Sequence, residues 1–95
     1  MLSYDRKELG YYLKDARENA QLTQNEVAEK LGYSSAQFIS NIERGVSVVP
    51  LRTLANMIRL YDVDDRNIIG IFIKGQEKVL KAMFKKNKGS RYISG

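Results

Sequence analysis

The chain has no cysteine, no histidine and no tryptophan, and a single proline among its 95 residues. Without cysteine there is no disulfide framework and no thiol chemistry. With histidine absent as well, the usual zinc and iron ligands are missing, and so is the commonest general base. Carboxylates, lysines and tyrosines are present, but no spacing gathers them into a catalytic constellation. No enzyme, cofactor or metal is therefore expected. Long apolar runs are also missing. The longest near-apolar stretch, Ile68 to Ile73, is far too short to span a bilayer. Asp5, Arg6, Lys7, Glu8, Lys14, Asp15, Arg17 and Glu18 leave no room for the apolar core of a signal peptide in the opening residues. The expectation is a cytoplasmic protein with no membrane partner.

What is present is 43% hydrophobic and 28% charged, the composition of one small globular domain. The net charge of +5 by itself points to nucleic acid. Its placement says otherwise. Lys74, Lys78, Lys81, Lys85, Lys86, Lys88 and Arg91 stand against Glu77 alone, so the positive charge belongs to the C-terminal segment and the remainder is close to neutral.

Apolar spacing is helical throughout, and an all-α chain is expected. Leu9, Tyr12, Leu13, Ala16 and Ala20 recur at steps of three and four, predicting a first helix over about residues 4–19. Thr23 and Glu26 match a capping box that opens a second helix, with Val27, Ala28 and Leu31 inward and Gly32 at its end. Ser34 and Gln37 form a second candidate capping box for a third helix, with Phe38 or Ile39 and then Ile42 inward and Gly45 as a left-handed cap. Val46 to Val49 reads as a loop, its valines either packing on the domain or joining a contact between subunits. Pro50 opens a fourth helix with a predicted core stripe of Leu51, Leu54, Ala55, Ile58 and Tyr61. Asp62, Asp64 and Asp65 then precede a long fifth helix over about 66–87. They suit a helix cap better than a calcium loop, because the loop's glutamate position holds Ile73 and its glycine position holds Asn67. Gly89 to Gly95 reads as a frayed end.

The second and third helices carry the functional signal. A short helix with Ala28 at its crossing and Gly32 at its end is followed by one whose polar side shows Ser35, Gln37, Ser40, Asn41 and Arg44. Short amides and hydroxyls in that place can reach base edges, and glutamine or asparagine can pair bidentately with adenine. Leu22-Thr23-Gln24, Val27-Ala28, Leu31-Gly32 and Ile39-Ser40-Asn41-Ile42-Glu43-Arg44-Gly45 together resemble the phage-repressor-like, Cro-type (XRE) helix-turn-helix family over about residues 8–63.

The resemblance implies a compact five-helix, lambda-repressor-like domain over 1–65, reading double-stranded DNA in the major groove with its third helix. Residues 66–95 continue it as a long basic amphipathic helix and tail. Ala36, Gln37 and Asn41 fall at family base-contacting positions, with Ser35 and Ser40 beside them. Gln24 falls at a phosphate-contacting position, and Ser47 and Arg52 in a phosphate-contacting region; Thr23, Tyr33 and Arg44 complete the expected backbone set. Arg17 and Glu43 match a structural ion pair. The turn Tyr33–Ser35 is one residue longer than the commonest family spacing.

Phe72, Val79, Leu80 and Met83 lie on the apolar stripe of the fifth helix and are the candidates for homodimer contact. Two readings of function stand. One is a transcriptional regulator, a repressor that binds a palindromic operator as a homodimer. The other is an antitoxin-type module that neutralises a small protein partner and uses DNA binding for autoregulation.

Overall fold

The computed structural model describes residues 3–86, which form five helices: α1 (Arg6–Asn19), α2 (Gln24–Leu31), α3 (Gln37–Glu43), α4 (Leu51–Tyr61) and α5 (Arg66–Lys86). The expected tail at Gly89–Gly95, with Lys88 and Arg91, lies outside the described residues.

Local chemistry sets most helix ends. Asp5 accepts from the N–H groups of Lys7 and Glu8 at 3.0 and 3.1 Å, so α1 begins at Arg6 rather than at residue 4. The capping box of α2 forms as expected: the Glu26 N–H donates to the Thr23 hydroxyl at 3.0 Å, and the Thr23 N–H donates to the Glu26 carboxylate at 2.8 Å. The bond from the Thr23 N–H, with the Thr23 hydroxyl beside it, holds the Glu26 carboxyl below the ordinary glutamate value. Gly32 ends α2 in the left-handed region at φ 84°.

The second predicted capping box does not form. Ser34 makes no cap, Ala36 holds the cap position of α3 with no side-chain bond, and the Ser35 hydroxyl accepts from the Gln37 N–H at 3.4 Å. The longer turn delays the helix to Gln37, which leaves Ser34 too far upstream to reach the first N–H groups. The Gln37 side chain is therefore not engaged at the helix start. Asp64 accepts from the Arg66 N–H at 2.8 Å and pairs with its guanidinium, so this acidic cluster serves the entrance of α5.

The core gathers Leu9 and Leu13 from α1, Val27 from α2, Ile39 and Ile42 from α3, and Met57 from α4, all essentially without exposure. The predicted stripe of α4 is partly out of phase. Leu54 and Tyr61 are buried and Ile58 half-buried as expected, but Leu51 and Ala55 are exposed, and Thr53 and Met57 take their place in the core. Apolar residues surround α4 on several sides, so periodicity alone does not choose the buried arc. Thr53 turns inward because its hydroxyl shares a 2.9 Å hydrogen bond with the Tyr33 phenol. In α5, Ile68 and Ile71 close the core while Ile69 and Ile73 face outward. Val49 is buried, whereas Val46 and Val48 are exposed.

Gly10 is where α1 crosses the end of α3. A Cβ there would lie 2.5 Å from the carbonyl oxygens of Ile42 and Glu43. The N-terminal strand of chain then lies along α5. The Ser3 N–H donates to the Gln76 side chain at 2.6 Å, the Tyr4 ring packs on Phe72 at 4.6 Å between centroids, and Lys74 pairs with Glu8 at 2.6 Å. Beyond these contacts α5 runs on alone, and every residue from Glu77 to Lys85 is exposed.

Candidate nucleic-acid interface

The helix that carries the candidate reading residues has only seven residues, too few to be stable by itself. Its inner face supplies its stability. Ile39 and Ile42 are buried in the core, and Glu43 at its end is fastened to α1. Arg17 donates to both oxygens of the Glu43 carboxylate, through Nε at 2.6 Å and Nη2 at 3.1 Å. Its Nη1 donates to the Leu22 carbonyl at 2.8 Å. This bidentate bonding raises the Arg17 pKa further, so the guanidinium of the expected ion pair stays charged inside the fold. Tyr61 packs nearby, its buried hydroxyl without a hydrogen-bond partner among the described residues. Burial, with the Glu43 charge adding to it, pushes the Tyr61 phenol well up, so it remains neutral.

Several predicted contact residues are engaged within the chain. The Gln24 amide donates to Glu43 Oε1 at 2.9 Å and so belongs to the Arg17–Glu43 cluster. The Thr23 hydroxyl receives the Glu26 N–H and so serves the start of α2. The Tyr33 phenol is tied to Thr53, and its ring meets Phe38 edge-on at 5.1 Å, making it a strut between the turn and α4. Ala36 is half-buried against the core. The Thr23–Glu26 bond is local and follows from the capping pattern, whereas the Gln24–Glu43 and Tyr33–Thr53 bonds join residues about twenty apart and have no signal in the sequence.

The outer face of α3 is different. Gln37, Asn41 and Arg44 follow at steps of four and three and lie on one side of the helix. Gln37 Nε2 donates to Asn41 Oδ1 at 2.9 Å, and Arg44 Nη2 donates to the same oxygen at 2.6 Å. Gln37 and Arg44 are exposed, while Asn41 and Ser40 are half-exposed. Ser34 and Ser35 stand exposed in the turn before them, and Arg52 is exposed on α4. Ser47, half-buried, donates its N–H to the Asn41 carbonyl at 3.2 Å, which keeps the loop after α3 close to this face. Arg6 reaches the same loop, its Nη1 3.5 Å from the Val46 carbonyl. The structure thus brings Gln37, Ser40, Asn41 and Arg44 onto one accessible surface and places Thr23, Gln24 and Tyr33 in supporting contacts. Arg6 is a basic neighbour that helix spacing does not reveal, because the loop brings it there.

No helix of the described residues is long and apolar enough to cross a membrane. Residues 8–68, well over half the chain, match the family described as a helix-turn-helix domain. No curated protein matches the chain in sequence. Among solved structures, the chain is similar to a tyrosine-to-phenylalanine mutant of the restriction–modification controller protein C.Esp1396I, with 25% identity and a TM-score of 0.59 over 77% of this chain and 96% of that one. The five-helix, all-α architecture agrees with that match. The chain belongs to the helix-turn-helix domain family, of the phage-repressor-like, Cro-type kind that binds DNA.

Proposed function

We propose that this protein is a sequence-specific transcriptional regulator, a repressor that binds a palindromic operator as a homodimer with α3 in the major groove. The observation that carries the reading is the division of α3 into two faces. Ile39, Ile42 and Glu43 are locked inside, while Gln37, Asn41 and Arg44 form an ordered polar row outside. Amide and guanidinium groups are the side chains that discriminate base edges in the major groove. Similarity to a restriction–modification controller protein favours a regulatory role. No covalent chemistry is required, since occupancy of the site excludes or recruits polymerase. In this reading Gln37, Ser40 and Asn41 contact bases, with Ser35 and Ala36 at the edge of the footprint. Ser47, Arg52, Arg44 and the N-terminal end of α2 at Thr23 and Gln24 face the phosphates.

Residues 66–95 then supply the subunit contact, through Val79, Leu80 and Met83 on the projecting part of α5. All three side chains are exposed. Phe72 is already packed on Tyr4 and contributes through the base of the helix. The same exposed face would also suit a small protein partner of an antitoxin-type module, and the mass of the purified protein separates the two.

The test is selection of bound duplexes from a random pool, followed by affinity measurements on the selected site and on random DNA. Asn41→Ala should cost ~1–3 kcal/mol on the selected site and much less on random DNA. An equal loss on both would remove Asn41 from base readout.

A further inference from the structure

We propose that Asn41 and Arg44 act as a pair that selects guanine, two neighbouring acceptors on one base edge, in place of the adenine that an isolated asparagine favours. This deepens the reading of α3 as the base-contacting helix and rests on it.

The argument begins with proton inventory. A guanidinium has donors and no acceptor. The Asn41 atom that meets Arg44 Nη2 at 2.6 Å is therefore its carbonyl oxygen, and the Arg44 charge fixes which way the amide is turned. The same oxygen accepts from Gln37 Nε2 at 2.9 Å. A carbonyl oxygen has two lone pairs, and both are engaged. Asn41 is left with the two N–H donors of its amide and no acceptor.

Bidentate recognition of adenine needs one acceptor for its N6 amine and one donor for N7. Guanine presents O6 and N7 side by side, and both accept. An asparagine held in this orientation matches guanine, while the uncommitted N–H groups of Arg44 remain free for the adjoining phosphate. Adenine opposite this pair would face two donors with its own amine unpaired. The orientation persists on docking, because turning the amide over would bring its NH2 against the Arg44 guanidinium, donor against donor.

The full-length chain, Asn41→Ala and Arg44→Leu are each put through selection from random duplexes. The base pair read by Asn41 is the position whose preference flattens in Asn41→Ala. The unaltered protein should prefer guanine over adenine there by roughly tenfold, the size expected for one good bidentate contact. In Arg44→Leu the amide is released to turn, and the preference at that position should move toward adenine. Adenine preferred by the unaltered protein, or guanine retained unchanged in Arg44→Leu, overturns the pairing and leaves α3 as the reader. Preference that Asn41→Ala does not alter anywhere, or no preference at all, overturns base reading by this face and the pairing with it. Both substitutions lie outside the core, and matching thermal melts of the three proteins exclude a folding effect.

Discussion

Glu43 receives three hydrogen bonds, two from Arg17 and one from Gln24, and together with the Arg17 bond to Leu22 these join α1, the following loop, α2 and α3 at one buried point. A buried carboxylate is tolerated only when its partners are complete. Arg17→Met should therefore destabilise the fold by about 3 kcal/mol in urea titration, because the buried Glu43 carboxyl is left with Gln24 as its remaining side-chain partner. Arg17→Met combined with Glu43→Leu should recover part of that loss, since it removes the stranded charge. A double variant no better than the single one would show that geometry, and not charge, is what the pair supplies. Gly10 allows a second test at the same scale. Alanine is favoured over glycine in a helix by ~1 kcal/mol, yet a Cβ at this crossing meets backbone oxygens at 2.5 Å that cannot rotate away. Overpacking of this sort costs about 1–3 kcal/mol, so Gly10→Ala should lower the urea midpoint. A raised midpoint would mean that α1 moves aside without cost.

Among the elements, α2 was the most legible. Thr23, Glu26 and Gly32 set its ends through bonds a few residues long, and such signals need nothing from elsewhere in the chain. The start of α3 was misplaced because Ser34 and Gln37 fit the same capping pattern but are carried out of register by the longer turn. The stripe of α4 is legible at Leu54, Ile58 and Tyr61 but not at Leu51 and Ala55, because several apolar arcs compete and the inward turn of Thr53 depends on a partner twenty residues away, Tyr33. The outward placement of Gln37, Asn41 and Arg44 follows from helix spacing, whereas the bonds among them and the loss of Gln24 to Glu43 depend on distances that spacing does not encode. The same difference explains why Arg17 and Glu43 were recognised as a pair: that link came from family resemblance, not from periodicity.

At the scale of the whole molecule, the positive charge and the reading face are separate. Lys74 is paired with Glu8, and Lys81 lies 3.9 Å from Glu77, so part of the basic character of α5 is answered within the chain. The exposed apolar side chains of Val79, Leu80 and Met83 then become the notable feature of that helix. Light scattering of the intact protein should give twice the chain mass of 10.9 kDa, and Leu80→Glu with Met83→Glu should return it to the single-chain value. A single-chain mass for the unaltered protein would remove self-association from the proposal, and an excess mass supplied by a second polypeptide would favour the partner-binding alternative.

The seven-residue length of α3 has a thermodynamic consequence. A helix this short exists because the core and Glu43 hold it, so the proposed DNA-reading surface is present only in the folded chain. On the proposed function, operator binding and folding are linked by mass action. Duplex at a hundred times its dissociation constant would add about 2.7 kcal/mol to stability, and any substitution that opens the Arg17–Glu43 junction would weaken operator binding from a position that never touches a nucleotide.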